Sequence, residues 1–275
     1  MRYIALALVA GLLVAAARSQ ELPSDAAHLK ALDQILDLYV RDGFVYYRAL
    51  KLERAKLDGY VNLLASVRAD RLSRNEQLAF WLNAYNALVL RVVIDHYPVD
   101  GRSNDYPRHS IRQIPGAFDR LTHRVGGRAL TLDQIEQTVL PQFNDPRVYL
   151  ALGRGAAGGG RLRSEAFAPG TLEMQLSEVA NECASRSACV QVDRQANELL
   201  VCPIFSWREK DFVAAYGARV PATFANRTPL ERAVLAFVEP TLLRIEREAL
   251  EKNTFRVSFL AFDWSLNDLT GRGGR

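Results

Sequence analysis

The sequence predicts an α+β fold, a helix-dominated single domain with a buried central helix over about 75–97 and a small, mostly antiparallel sheet. Three observations carry this expectation. Apolar residues recur at helical spacing over several long segments, while strand-like patterns are confined to short pieces flanked by turn residues. One helical segment is apolar almost all round, which only a buried helix tolerates. No internal repeat or long linker divides the 275 residues, a length that one large domain accommodates.

The N-terminus, "MRYIALALVAGLLVAAARSQE", has a basic residue, an apolar run and then small residues. The run is shorter than the roughly 20 residues of a membrane span and has the three parts of a secretory signal. Ala17 and Ser19 stand at the −3 and −1 positions, so cleavage is expected after Ser19. This divides the chain into a signal peptide, 1–19, and a globular domain, 20–275, that is exported, periplasmic or secreted. No stable membrane span is expected after cleavage. The formal charge of +4 is scattered, without a Lys/Arg tract, so no nucleic-acid partner is expected.

Leu29, Leu32, Ile35, Leu36, Leu38 and Tyr39 mark a first helix over 25–41, and Asp42-Gly43 stops it. "FVYYRAL" reads as a short strand or extended link, and 52–67 as a second amphipathic helix. Ser73-Arg-Asn-Glu76 matches a capping box, in which hydroxyl and carboxylate satisfy each other's orphan N–H groups. The central helix begins there and ends before Pro98. Residues 99–120 are irregular. "HRVGGRALTL" is a hairpin about Gly126-Gly127. Thr131 to Gln134 is a second capping box opening a short helix to Leu140. "VYLALG" reads as a strand leading into the glycine-rich loop 153–160. A helix over 171–184 precedes a second hairpin, "CVQVDRQANELLVC", and a short helix starts at Asp211. Thr228 to Glu231 caps a helix broken at Pro240 and ending near Asn253, and "FRVSFLAF" is a closing strand.

Export would place Cys183, Cys189 and Cys202 in an oxidising compartment, with one bridge and one free thiol as the simplest outcome. The second hairpin sets Val192 opposite Leu199, and counting outward sets Cys189 opposite Cys202, which favours that bridge. The alternative is Cys183–Cys189, stapling a helix end to the strand. Neither the cysteines nor His28, His96, His109 and His123 show metal-ligand spacing, so no metal and no cofactor are expected. The glycine-rich loop lacks the lysine and Ser/Thr of a phosphate loop.

The motifs "LSRNEQLAFWLNAYNALVLRVVIDHYPV", "VGGRALTLDQIEQTVL", "FNDPRVYLALG", "LRSEAF", "IFSWREKDF" and "FLAFDWSLN" together resemble the bacterial and plant family called domain of unknown function 547. The resemblance runs from about residue 30 to 267, with core motifs about 70–215. It implies no enzyme class, but it does imply what usually occupies certain positions. The family's two loop cysteines fall on Arg154 and Gly159, its Pro-Pro pair on Gly160 and Arg161, and two histidines on Tyr149 and Gln137. A cysteine with nearby histidines is the makings of a thiolate–imidazole hydrolase site. Here sulfur and imidazoles are replaced, and arginine is neither nucleophile nor base near neutral pH.

The candidate cleft therefore comprises Asn83, Tyr85, Asn86, Glu136, Gln137, Tyr149, Arg154, Arg163 and Glu165, with no catalytic residue among them. Asn83 and Asn86 share a face of the central helix and are expected to buttress the loop or line a pocket. Arg163 and Glu165 are expected to pair internally. The loop, built of glycine, alanine and Arg154, is expected to be flexible and solvent-reaching. Two functions follow. In one, a noncatalytic exported domain binds a small anion, peptide or protein partner through the degenerate cleft, using Arg154, Arg161 and Arg163. In the other, a periplasmic hydrolase or transferase uses residues near Glu136, Tyr149 and His96.

Overall fold

The central helix is the axis on which the rest is built. In the computed structural model, which describes residues 25–270 and side chains from His28 onward, it runs Arg74–His96. The expected signal peptide and its cleavage site lie outside the described residues. Ahead of this helix come α1 (Asp25–Tyr39), a two-residue ladder of β1 (Val40–Arg41) with β2 (Phe44–Val45), α2 (Tyr47–Leu52) and α3 (Ala55–Leu64). The central helix is α4. Its start is the expected capping box: the Ser73 N–H donates to the Glu76 carboxylate at 2.7 Å. Trp81, Leu82, Tyr85, Leu88 and Val89 are among its buried residues, so its all-round apolar surface faces protein. It is long and apolar enough to cross a membrane by length and composition, but 83% of the relevant window is buried within the fold, as in a core helix. "FVYYRAL" is strand only at Phe44–Val45 and turns helical at Tyr47.

After the irregular stretch come the hairpin of β3 (His123–Val125) and β4 (Arg128–Leu130), then α5 (Leu132–Gln134). Thr131 and Gln134 cap α5 reciprocally, at 2.9 and 3.1 Å. The chain then widens into a π-helical turn, Ile135–Val139, and tightens into a 3-10 turn, Leu140–Phe143. Such a mixed path is common where a side chain is re-aimed, and here it turns Glu136 into the core.

The expected strand at "VYLALG" is instead a helical turn, α6 (Arg147–Leu150). The reason is local. Pro146 precedes it with α-region dihedrals, and the Asp145 carboxylate accepts the Arg147 N–H at 3.0 Å. Together they start a helix despite the β preference of Val148 and Tyr149.

The C-terminal part contains α7 (Leu172–Ser185), β5 (Val190–Asp193), β6 (Glu198–Val201), α8 (Ile204–Trp207), α9 (Glu209–Tyr216), α10 (Pro229–Val238), α11 (Arg244–Glu251) and β7 (Arg256–Phe259). The hairpin register is the expected one, Val192 opposite Leu199. β7 lies parallel to β6, because the four intervening helices carry the chain back to the same end of the sheet.

The cysteine pairing differs from the favoured expectation. Cys189 does sit opposite Cys202, whose N–H donates to the Cys189 carbonyl at 2.7 Å. The bond, however, joins Cys183 to Cys189, and Cys202 is free and buried. The turn closing α7 explains it: the Cys189 N–H reaches back to Arg186 at 2.8 Å, leaving the Cα atoms of Cys183 and Cys189 5.2 Å apart, inside the disulfide range.

Candidate functional site

The two asparagines of α4 act as clamps on the chain either side of the glycine-rich loop. Asn86 donates to the Ala151 carbonyl at 3.1 Å and accepts the Gly153 N–H at 2.9 Å. Asn83 does the same for Phe167, at 2.8 Å in both directions. Each buried amide is spent on backbone, so both residues hold the chain around the loop, and Asn83 also borders a cavity walled by His28, Tyr60 and Phe80.

The first half of the loop is not the expected solvent-reaching segment, while Ala157 to Gly160 are half-buried. Gly153 to Ala156 are buried, and Arg154 is only 2% exposed. The glycines allow close packing. A Cβ on Gly158 would lie 2.6 Å from the Asp263 backbone nitrogen, and one on Gly160 1.8 Å from the Leu150 carbonyl oxygen. The Ala157 and Gly158 N–H groups donate to Ser265 and Asp263, both at 2.8 Å. Composition suggested slack, but the missing side chains are what let three backbone segments meet.

Arg154 points inward. Its backbone is left-handed, φ +45°, a region that costs a non-glycine residue about 1 kcal/mol or more. Its Nη2 donates to Glu136 Oε1 at 2.7 Å and its Nη1 to the Tyr149 carbonyl at 2.9 Å. Arg208 lies 3.2 Å from the same carboxylate oxygen, and the Tyr85 hydroxyl donates to Oε2 at 3.2 Å. Arg208 also donates to the Glu136 carbonyl and to Gln137 Oε1, each at 2.8 Å, with its guanidinium 4.3 Å from the Tyr149 ring centre. One carboxylate thus holds two arginines and a phenol. Burial alone would push the Glu136 carboxyl up, but Arg154 and Arg208 outweigh it and hold it below the usual carboxylate range. Burial raises the Tyr85 and Tyr149 phenols well above their ordinary value.

Chemically, this is a closed ion-pair cluster. Glu136 is held ionised and fully engaged, and Tyr85 and Tyr149 are held protonated. Arg154 stands where the resemblance places a cysteine. His96 is elsewhere: eleven residues beyond Tyr85 on α4, roughly 16 Å along the axis at about 1.5 Å per residue, with Nδ1 donating to the Val92 carbonyl at 2.9 Å. Arg163 does pair with Glu165, and also with Glu178 at 2.7 Å. Arg161 pairs with Asp42 and, at 2.6 Å, with Glu182. The structure therefore gathers Tyr85, Glu136, Gln137, Tyr149 and Arg154. It sets Asn83 and Asn86 at the loop's ends and Arg163 and Glu165 in a separate surface network. Sequence reasoning passed over Arg208, although "IFSWREKDF" contains it. Its conspicuous neighbour Trp207 was the only local signal.

Residues 69–182 match the family model described as protein of unknown function, DUF547. This segment of the chain is similar to the DUF547 family. The matched DUF547 segment runs through α4, the π turn with Glu136, the glycine-rich loop and most of α7, and so holds the clamps and Arg154. Arg208, β5–β7 and the closing motif lie outside it. No curated protein and no solved structure matches the chain.

The outer edge of the glycine-rich loop supports a second feature. The segment to which Ala157 and Gly158 bond carries Phe262 and Trp264, with ring centres 4.4 Å apart. Trp207 packs 4.9 Å from Phe262 and remains 46% exposed. Arg112 stacks on the Trp264 and Phe118 rings at 4.3 and 4.5 Å. The result is an aromatic shelf with one cation set into it.

Proposed function

We propose that the protein is a noncatalytic recognition domain that binds a peptide or protein partner. One observation carries the first half of this reading: the guanidinium of Arg154 is buried and committed to Glu136. General base catalysis needs a group free to take a proton within hydrogen-bond reach of a nucleophile. Glu136 is held ionised by two arginines, and the thiol whose charge Arg154 feels, Cys202, is buried and pushed up to about 11, so it stays protonated at neutral pH. A hydrolase or transferase built on Glu136, Tyr149 and His96 lacks support, because His96 is distant and Tyr149 stays protonated.

The small-anion reading also loses ground. Arg154, Arg161 and Arg163 are each matched by carboxylates, so an incoming anion has to displace an internal one. The aromatic shelf favours a polypeptide partner instead. Exposed tryptophan beside arginine is the combination enriched where protein interfaces concentrate their energy.

Two experiments test the two halves. The purified protein, offered a panel of ester and peptide substrates, is expected to show no turnover above buffer. The triple variant Arg154→Cys, Tyr149→His, Gln137→His restores the family's usual polar set and serves as the comparison. Enzyme-like turnover by the unaltered protein that Glu136→Gln abolishes would sink the noncatalytic reading. For recognition, a photo-crosslinking residue at Trp207 is expected to capture discrete protein adducts in the producing cell, and the same group at exposed Leu243 is not. Equal adducts at both positions, or none, count against the shelf.

A further inference from the structure

The three cysteines carry more than a static bridge. The free sulfur of Cys202 lies 3.3 Å from the Sγ of bridged Cys189, and all three sulfurs fall within 4.8 Å of one another. A small cavity touches all three, walled by Gly158 to Arg161 on one side and by Glu182 and Arg186 on the other. Cys189 is thus a shared partner: bonded to Cys183 through the turn that ends α7, and opposed to Cys202 across the β5–β6 hairpin. A directly opposed strand pair brings Cβ atoms to about 4.5–5.5 Å, within small adjustment of bridging distance.

We propose that Cys183, Cys189 and Cys202 form a thiol–disulfide exchange site with two bridged states, whose product thiol at Cys183 takes external disulfides and electrophiles. In the first step the Cys202 thiolate attacks Cys189 Sγ. The Cys189–Cys202 bond forms, the Cys183–Cys189 bond breaks, and Cys183 leaves as a thiolate. One thiolate and one disulfide stand on each side, so the step needs no oxidant. In the second, the Cys183 thiolate attacks an external disulfide, forming a mixed disulfide and releasing the external thiolate. The free thiol has then moved from the hairpin to the last turn of α7. There it adjoins Glu182, which pairs with Arg161 next to the glycine-rich loop.

The exchange is gated by the attacking thiol. Burial pushes Cys202 up to about 11, while the Ile204 and Phe205 N–H groups and the Arg154 guanidinium pull the other way. Of the charged groups lining the cavity, Arg161 and Arg186 favour a thiolate and Glu182 opposes it. The thiolate is therefore a small minority at neutral pH. Below the thiol's pKa its population rises about tenfold per pH unit, and the exchange rate rises with it.

Trypsin separates the three cysteines cleanly, cutting after Arg163, Arg186, Arg194 and Arg208. The folded protein is held at pH 7 to 9, quenched in acid, its free thiols blocked with a maleimide, and the non-reduced digest read by mass spectrometry. The expected result is both linked pairs, 183–189 and 189–202. The maleimide label divides between Cys202 and Cys183, and the 189–202 pair appears about tenfold faster per pH unit. Cys202→Ser should abolish labelling of Cys183, which separates directed exchange from scrambling in unfolded chains. Cys183→Ser should form the 189–202 bridge under mild oxidation. Only the 183–189 pair in the unaltered protein after incubation at pH 9, with the label confined to Cys202, overturns the proposal. So does labelling of Cys183 that persists in Cys202→Ser.

Discussion

Glu136→Gln is expected to cost about 3–5 kcal/mol of folding stability, the range seen when one member of a buried ion pair is removed. The size follows from what is left behind. Arg154 is 2% exposed and, among the described residues, its one carboxylate partner is Glu136. Glutamine keeps the shape and one acceptor oxygen but leaves two guanidinium charges facing each other without an anion. Arg154→Ala should cost less, because Arg208 still holds the carboxylate at 3.2 Å. The pH dependence has a definite sign. The Glu136 carboxyl is held below its ordinary value of 4.5. Its contribution is therefore complete above about pH 4.5 and is lost as pH falls through the lower value of the folded state. Chemical denaturation of the unaltered protein should show stability dropping over that acid window, and Glu136→Gln should lose that part of the drop. Equal acid sensitivity in both proteins would count against this assignment.

Gly160→Ala is expected to be as damaging, for a steric reason. The added Cβ would lie 1.8 Å from the Leu150 carbonyl oxygen and 2.6 Å from its carbon. Both are backbone atoms of the helical turn that leads into the loop, so no flexible side chain gives way. Relieving the contact means moving α6 or breaking the Gly160 N–H bond to Leu152, 3.1 Å. A loss above about 4 kcal/mol follows, within the class of severe overpacking effects. At 2–4 °C per kcal/mol for a chain of this size, Tm should fall by roughly 8–16 °C. Gly59→Ala is the control. It sits inside α3 with nothing within 4 Å of an added Cβ, so it should raise stability by about 0.5–1 kcal/mol. If both substitutions prove neutral in a thermal melt, the loop is not packed as described.

The contrast between these two glycines shows where the sequence is legible. The central helix is readable because its apolar residues cover the whole circumference, and only burial explains that. The capping boxes at Ser73, Thr131 and Thr228 are readable because the partners are three residues apart. The Val192–Leu199 register is readable because a tight turn leaves little choice. What fails is anything decided by distant chain. Nothing local to Gly160 announces the Leu150 carbonyl beneath it, and a string of glycines reads as slack whether the space is empty or full. Arg154 stands out in the sequence, but its partner Glu136 lies 18 residues upstream and Arg208 lies beyond α7, the β5–β6 hairpin and α8. The direction in which an arginine points is set by tertiary packing. The bridge likewise turned on the three-dimensional course of the turn after Ser185, which spacing alone left open between two pairings.

The central claim is that Arg154 and Glu136 form a buried structural pair. A double-mutant cycle measures it directly. Stability is determined at pH 7 for the unaltered protein, Arg154→Met, Glu136→Gln and the double variant, each by denaturant titration. The account predicts that the two losses do not add. The double variant should be less destabilised than the sum of the single variants by about 2 kcal/mol, as for residues in direct buried contact. A coupling energy near zero would mean that the two side chains do not depend on each other, and would contradict the reading of this loop as a locked core element.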